Sequence, residues 1–218
     1  MVDIDLITDI PFFSGLDDNL LVELSKIAIL KNYVSSDILF YEKDAQDEIF
    51  YLISGAIKFY KVDRFDNEIF LYKVTSNSIV FDIAKMCDEN IITCYANAEL
   101  LEDSKVLLFN NIKFRELMRT NHGFTRVVLR ESFKMIQQLQ CIISRDVVFD
   151  GTAKIAHMLS NDLETFNMLK KHEIAYMLHI QPETLSRILK KLIRNDIIEI
   201  NKNRVKILNF DELKEIYE

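Results

Sequence analysis

Between Phe124 and Val147 the chain contains neither glycine nor proline, and within that run Val128, Leu129, Met135, Ile136, Leu139, Ile142 and Ile143 recur at helical spacing. The pattern predicts a long helix with one broad apolar stripe. Such a stripe meets a partner, with Val128, Met135, Ile136, Leu139, Ile142 and Ile143 as its contact residues, or it covers sheets of its own chain. Periodicity favours neither. In both cases the helix divides an N-terminal part from a C-terminal part that begins near Asp150-Gly151, a turn signal at which a domain boundary is expected.

The two parts differ in texture. Near the start, "LDDNLLVELSKIAILKNY" places Leu16, Leu20, Leu21, Leu24 and Ile27 three and four residues apart, with Asp17 and Asp18 at the favoured N-terminal end, and predicts a helix. From Ser35 to Phe109 the chain turns to short runs rich in Ile, Val, Phe and Tyr: "DILFY", "EIFYLISGAIKFYKV", "EIFLYKV" and "KVLLF". These read as strands, and the turn signals between them suit a small antiparallel barrel or double sheet rather than βαβ units. Beyond Gly151 come an apolar-faced helix (Ala153, Ile155, Ala156, Met158, Leu159), two short helices, "KKHEIAYML" and "PETLSRILKKLIRN", and two strands, "IIEI" and "RVKIL", joined by "NKN". That is the order of a winged helix-turn-helix. The fold class expected is α+β, with a sheet-rich domain over 1–121, a dimerisation helix over 122–148 and a winged domain over 149–218.

Composition narrows the setting. No apolar run approaches the roughly 20 residues that span a bilayer, and the acidic start "MVDIDLITDIPFFSGL" has no basic leader pattern, so a cytoplasmic protein without membrane contact is expected. Cys87, Cys94 and Cys141 are odd in number and widely spaced, which argues against a disulfide framework or a CxxC metal pair, and no metal site is expected. No nucleophile and base pair or Walker loop argues for an enzyme. The net charge is −7, yet residues 165–206 hold nine Lys/Arg against four acids, a local balance of +5. A basic patch in an acidic chain points to a polyanion met by one domain only.

In a helix-turn-helix the second helix lies in the major groove with its N-terminal residues at the base edges. Pro182 opens that helix, where its missing N–H has no intrahelical partner to lose. Glu183, Thr184, Ser186 and Arg187 are then the candidate base readers; Lys190, Lys191 and Arg194 reach phosphates, and Lys202 and Arg204 do so from the wing. A carboxylate there accepts from cytosine N4, and an arginine one turn on forks onto guanine O6 and N7. The bland alternative is that Glu183 serves the helix dipole and pairs with Arg187 at i,i+4, worth about 0.3–0.5 kcal/mol.

"LKKHEIAYMLHIQPETLSRILKKLIRNDIIEINKNRVKILNFDEL" resembles the DNA-binding domain of the Crp/Fnr family, whose reading helix typically runs E-T-(V/I)-(S/G)-R-x-L-x-x-L. Upstream, "ILFYEKDAQDEIFYLISGAIKFYKV" resembles that family's cyclic-nucleotide-binding-like β-roll, and "ANAELLEDSKVLLF" its closing strands. The resemblance implies a homodimeric transcription regulator acting on double-stranded DNA, with RNA polymerase a further partner if it activates. E-x-x-S-R, here Glu183, Ser186 and Arg187, resembles the branch that reads TTGAT half-sites rather than the cyclic AMP branch that reads TGTGA.

The same resemblance exposes departures. Where the family's cyclic nucleotide pocket has a turn glycine, a ribose glutamate and Arg-Ser/Thr for the phosphate, this chain has Phe81, Asp82, Cys94 and Tyr95, which argues against cyclic AMP. No cysteine precedes Cys87, so the four thiolates of an iron–sulfur member are missing. Haem stays open as a cofactor, with His122, Met135, Cys141, Cys87 and Cys94 as ligand candidates that form no motif. Cys87 and Cys94 fall in the expected sensor region together with Phe81, Asp82 and Tyr95, though buried core thiols are the plain alternative. His179 stands where this motif often has glycine, so a left-handed backbone is expected there. Two rivals to a switched sensor are a constitutive repressor with a non-sensing roll and a small-molecule module whose winged domain contacts protein.

Overall fold

Aspartates open the first helices. Asp3 accepts from the Asp5 N–H ahead of α1 (Ile4–Thr8), and Asp17 accepts the Leu20 N–H at 3.0 Å to start α2 (Asp18–Ile27). The computed structural model describes residues 2–80, 92–202 and 204–218; Phe81, Asp82 and Cys87 lie outside the described residues. Two units divide the chain, Met1–Gln137 and Gln138–Glu218. The division falls within the long helix.

In the first unit the strands are β1 (Ala28–Tyr33), β2 (Ile38–Phe40), β3 (Ala45–Gln46), β4 (Glu48–Ser54), β5 (Ala56–Val62), β6 (Glu68–Thr75), β7 (Ser78–Val80), β8 (Ile92–Thr93), β9 (Asn97–Leu100) and β10 (Ser104–Asn110), with α3 (Asn111–Thr120) after them. The helix expected over "LDDNLLVELSKIAILKNY" stops at Ile27. Ala28 to Tyr33 instead pair antiparallel with Phe109 to Ser104, so a distant strand overrides the helical spacing. The sheets run β1-β10-β4-β7 and β2-β9-β5-β6, with β3-β8 as a short pair. Between β4 and β5, Gly55 has φ +106°, and a Cβ there would stand 2.0 Å from Ser104 Oγ; only glycine fits.

Strand β4 is buried on both faces, and alternation sorts its residues into two cores. Phe50 and Leu52 join Phe40, Ile57, Phe59, Val80, Cys94, Leu100, Val106 and Leu108 between the two four-stranded sheets. Phe40 meets Phe50 and Phe59 at 5.6 and 6.2 Å between ring centres, and Phe59 stacks on Tyr72 at 4.6 Å. Ile49 and Tyr51 point the other way, into a core with Phe12, Phe13, Leu24, Phe109, Phe114, Phe124, Val127 and Val128.

The long helix, α4 (His122–Val148), packs part of its stripe into its own unit and leaves part of it exposed. Val128, expected at a dimer contact, is 3% exposed and packs into its own unit's core. Met135, Leu139 and Ile142 are half-buried within the chain. Ile136 and Ile143 remain exposed, and they align with Leu129, Phe133 and Val147, also exposed. With Gln140 between them, positions 129, 133, 136, 140, 143 and 147 repeat at alternating steps of four and three, the spacing of a coiled-coil seam.

In the second unit, α5 (Gly151–Asn161), α6 (Leu163–Met168), α7 (Lys171–Met177), α8 (Pro182–Arg194) and α9 (Phe210–Glu215) enclose a core of Ile155, Leu159, Phe166, Ile174, Leu185, Leu189, Leu192, Ile198 and Leu213. Strands β11 (Ile198–Asn201) and β12 (Arg204–Ile207) form the wing. Asp150 caps α5, its Oδ1 accepting from Thr152 and Ala153 at 2.8 and 2.9 Å. Glycine suits position 151 because α8 comes close: a Cβ there would lie 3.3 Å from Ile188 Cδ1.

Candidate nucleic-acid interface

The reading helix is fixed at its start by backbone chemistry. α7 ends at Met177, and the Ile180 N–H reaches back to the Ala175 carbonyl at 3.0 Å. Between them His179 adopts φ 53°, the left-handed conformation expected of it. Gln181 is extended and Pro182 opens α8. Leu185, Ile188, Leu189 and Leu192 then face the core, each 7% exposed or less.

The opposite face of α8 carries Glu183, Ser186, Arg187, Lys190, Lys191 and Arg194, which with Pro182 line one shallow concavity. All but the half-buried Ser186 are exposed. Among the described residues no salt bridge within 4.0 Å occupies Glu183, Arg187, Lys190, Lys191 or Arg194. The i,i+4 pair of Glu183 and Arg187 is therefore not formed, and both groups face outward with their hydrogen-bonding capacity unused. Thr184 departs from expectation. It is half-buried, does not line that concavity, and has Cγ2 3.7 Å from where a Cβ at Gly151 would stand.

The wing is held by a residue that sequence reasoning missed. Asn167 on α6 accepts the Val205 N–H at 2.7 Å and donates to the Val205 carbonyl at 3.0 Å, clamping β12. Glu199 and Lys206 pair across the wing at 3.3 Å. Lys202 and Arg204 are exposed, Lys202 in the turn at φ 48°. A side-chain amide matched to the N–H and carbonyl of one strand residue leaves no periodic trace in sequence.

Four cations, one carboxylate and Ser186 thus line one face of the second helix of a helix-turn-helix, backed by a two-stranded wing and preceded by two facing antiparallel sheets. Two family profiles match in that order: cyclic nucleotide-binding domain over residues 30–121 and Crp-like helix-turn-helix domain over 153–216. The chain belongs to the Crp/Fnr family of transcription regulators. Solved structures of similar fold include a variant of CooA from Carboxydothermus hydrogenoformans, 19% identical, with 94% of this chain and 92% of that one covered and a TM-score of 0.70. A Crp/Fnr-family regulator from Eubacterium rectale is 13% identical over 95% and 97% of the two chains, with a TM-score of 0.70. FixK2 from Bradyrhizobium japonicum is 13% identical over 87% and 97%, with a TM-score of 0.68. No curated protein matches the chain by sequence.

As a Crp/Fnr member the chain carries a DNA-binding helix-turn-helix. Of its sensor candidates, Cys94 and Tyr95 are among the described residues. Cys94 is 7% exposed in the roll core, whereas Tyr95, its neighbour, is 65% exposed with Lys61 Nζ 4.0 Å from its ring centre. The two do not converge on one site, and Lys61 is itself bound to Glu42 at 2.9 Å. Of the haem-ligand candidates, His122 and Cys141 are exposed and Met135 half-buried, and among the described residues no three His, Cys, Asp or Glu side chains cluster as a metal site. No described helix is long and apolar enough to cross a membrane.

Proposed function

We propose that this regulator binds, as a homodimer, a palindrome close to TTGAT-N4-ATCAA, and that its roll answers a redox, nitrosative or haem-linked signal rather than a cyclic nucleotide. The observation that carries the proposal is the outward stripe of α8, with Glu183 and Arg187 one turn apart and neither held in an ion pair among the described residues. With the N-terminal turn of α8 in the major groove, the Arg187 guanidinium forks onto guanine O6 and N7, and the Glu183 carboxylate accepts from cytosine N4. Ser186 donates or accepts beside them. Lys190, Lys191 and Arg194 lie farther along the same face, where the groove rises to the phosphates, and Lys202 and Arg204 extend that positive surface from the wing.

The seam at 129, 133, 136, 140, 143 and 147 supports the dimer. Two copies related by a two-fold axis bury Leu129, Phe133, Ile136, Ile143 and Val147 against their equivalents, with Gln140 a polar position that fixes register. A two-fold protein matches a palindrome with half-sites about one helical turn apart. The filling of the roll by Phe40, Phe50 and Phe59, with Cys94 buried among them, supports a signal other than cyclic AMP.

Fluorescence anisotropy on a TTGAT palindrome, a TGTGA palindrome and a scrambled duplex, at one salt concentration, tests the proposal. Tightest binding to TTGAT is expected; equal binding to all three contradicts it. Cyclic AMP is expected to leave the melting temperature unchanged, and a concentration-dependent rise contradicts the reading of the roll.

A further inference from the structure

The last turn of α4 carries a charged cluster that the DNA-facing surface does not use. Asp146 Oδ1 lies 3.1 Å from Arg145 Nε and 3.9 Å from Lys154 Nζ on α5, and its Oδ2 lies 3.7 Å from His179 Nδ1. One carboxylate therefore joins three segments: the end of the long helix, the first helix of the winged unit, and the turn three residues ahead of Pro182. Lys154 is 8% exposed, so its charge depends on a partner inside the unit. Next to this cluster Phe149 packs on His157 and Tyr217, at 5.5 and 6.0 Å between ring centres, which seats the segment after α4 on the same body.

His179 is the informative member. Its φ of 53° is a conformation that glycine adopts without strain and histidine does not. A side chain at that position thus carries a conformational cost that glycine avoids, and the imidazole it supplies faces the Asp146 carboxylate. The turn in question sets where α8 begins, and with it the direction of Glu183 and Arg187.

We infer that Asp146 and His179 are positioning residues: their contact latches the turn before α8 to the last turn of α4, and so sets the attitude of the DNA-facing stripe. The inference rests on the reading of DNA by α8. It assigns to the latch the selectivity of the helix, not its gross affinity, because neither residue is on the stripe and loss of the contact leaves every phosphate-facing cation in place.

The test is a double-mutant cycle in the full-length protein, with anisotropy on the TTGAT palindrome and on a scrambled duplex and a melting curve for each variant. Asp146→Asn and His179→Asn are each expected to lower the ratio of cognate to scrambled affinity about three- to tenfold, and the double variant is expected to lose no more than either single one. Scrambled-duplex affinity is expected to stay at its wild-type value in every variant, and the melting temperature to stay there in the His179 variants and to fall only where Asp146→Asn takes the carboxylate from the buried Lys154. His179→Gly, which frees the backbone while removing the imidazole, is expected to lose selectivity to the same degree; it carries the test alone if Asp146→Asn does not fold. Losses that multiply in the double variant overturn the latch, as does unchanged selectivity in these variants when Arg187→Ala in the same assay loses it. If Arg187→Ala also leaves selectivity intact, reading by α8 fails and the latch fails with it.

Discussion

The β-roll and the winged unit both carry lysines on an outer face, and they treat them oppositely. On the roll, Lys58 Nζ lies 2.7 Å from Glu68 and 2.8 Å from Glu99, and Lys61 pairs with Glu42. Burial disfavours charge on Lys58, yet the hydrogen bonds it donates to Glu68 and Glu99, together with their negative charges, outweigh it and raise its pKa above the ordinary lysine value. Those charges are satisfied inside the chain. On α8, Arg187, Lys190, Lys191 and Arg194 have no such partner among the described residues, although Glu183 is one turn from Arg187. Like residue types thus hold the structure together in one unit and stand available for a polyanion in the other. Pairing, not composition, tells them apart.

Substitutions sharpen that contrast. The largest expected effect is on the packed side of the roll: Phe59→Ala removes the stack on Tyr72 and the contact with Phe40, and is expected to destabilise the protein by about 3–5 kcal/mol, read by chemical or thermal unfolding. Two lysine substitutions have smaller and more diagnostic effects. Lys58→Met is expected to lower stability by about 1 kcal/mol or less, since its partners are only part-buried, and to leave the salt dependence of DNA binding unchanged. Lys190→Ala is expected to change stability by no more than about 0.5 kcal/mol while reducing the slope of log K against log salt by about 0.9 for each protomer, about 1.8 for the proposed dimer. Exchange of these two outcomes would dissolve the distinction between the faces.

The smallest effect concerns protons. Burial, and after it the charge of Arg145, holds the His157 imidazole below its ordinary value of 6.5. The folded state therefore binds fewer protons than the unfolded chain, so the contribution of this site is present above that value and is lost as pH falls through it. Melting temperature is expected to decline on acidification below about pH 6.5, and His157→Phe, which keeps ring contact with Phe149 and Tyr217, is expected to flatten that decline.

Much of this was legible because it is periodic. Runs rich in Ile, Val, Phe and Tyr between turn signals marked β4, β5, β6 and β10, and three- and four-residue spacing marked α2 and α4. The left-handed turn at His179 was legible from its place in the motif. The failures share a cause, which is that a neighbour in space decides. Ala28 to Tyr33 look helical until β10 pairs with them. On α4 the apolar residues occupy two adjacent faces, so one broad stripe mixed Val128, a core residue, with Ile136 and Ile143 of the exposed seam, and Gln140 hid the heptad that Phe133 and Val147 complete. Charge partners such as Asp146 and His179 leave no spacing signal at all, being 33 residues apart in sequence.

The central claim is that α8 reads bases through Arg187. The most direct measurement is anisotropy of Arg187→Ala beside wild type on the TTGAT palindrome and on the same palindrome with its guanines replaced. The account predicts that the variant loses about 1–3 kcal/mol on the first duplex and no longer distinguishes it from the second. Equal loss on both duplexes with discrimination intact would make Arg187 a phosphate contact and contradict the account.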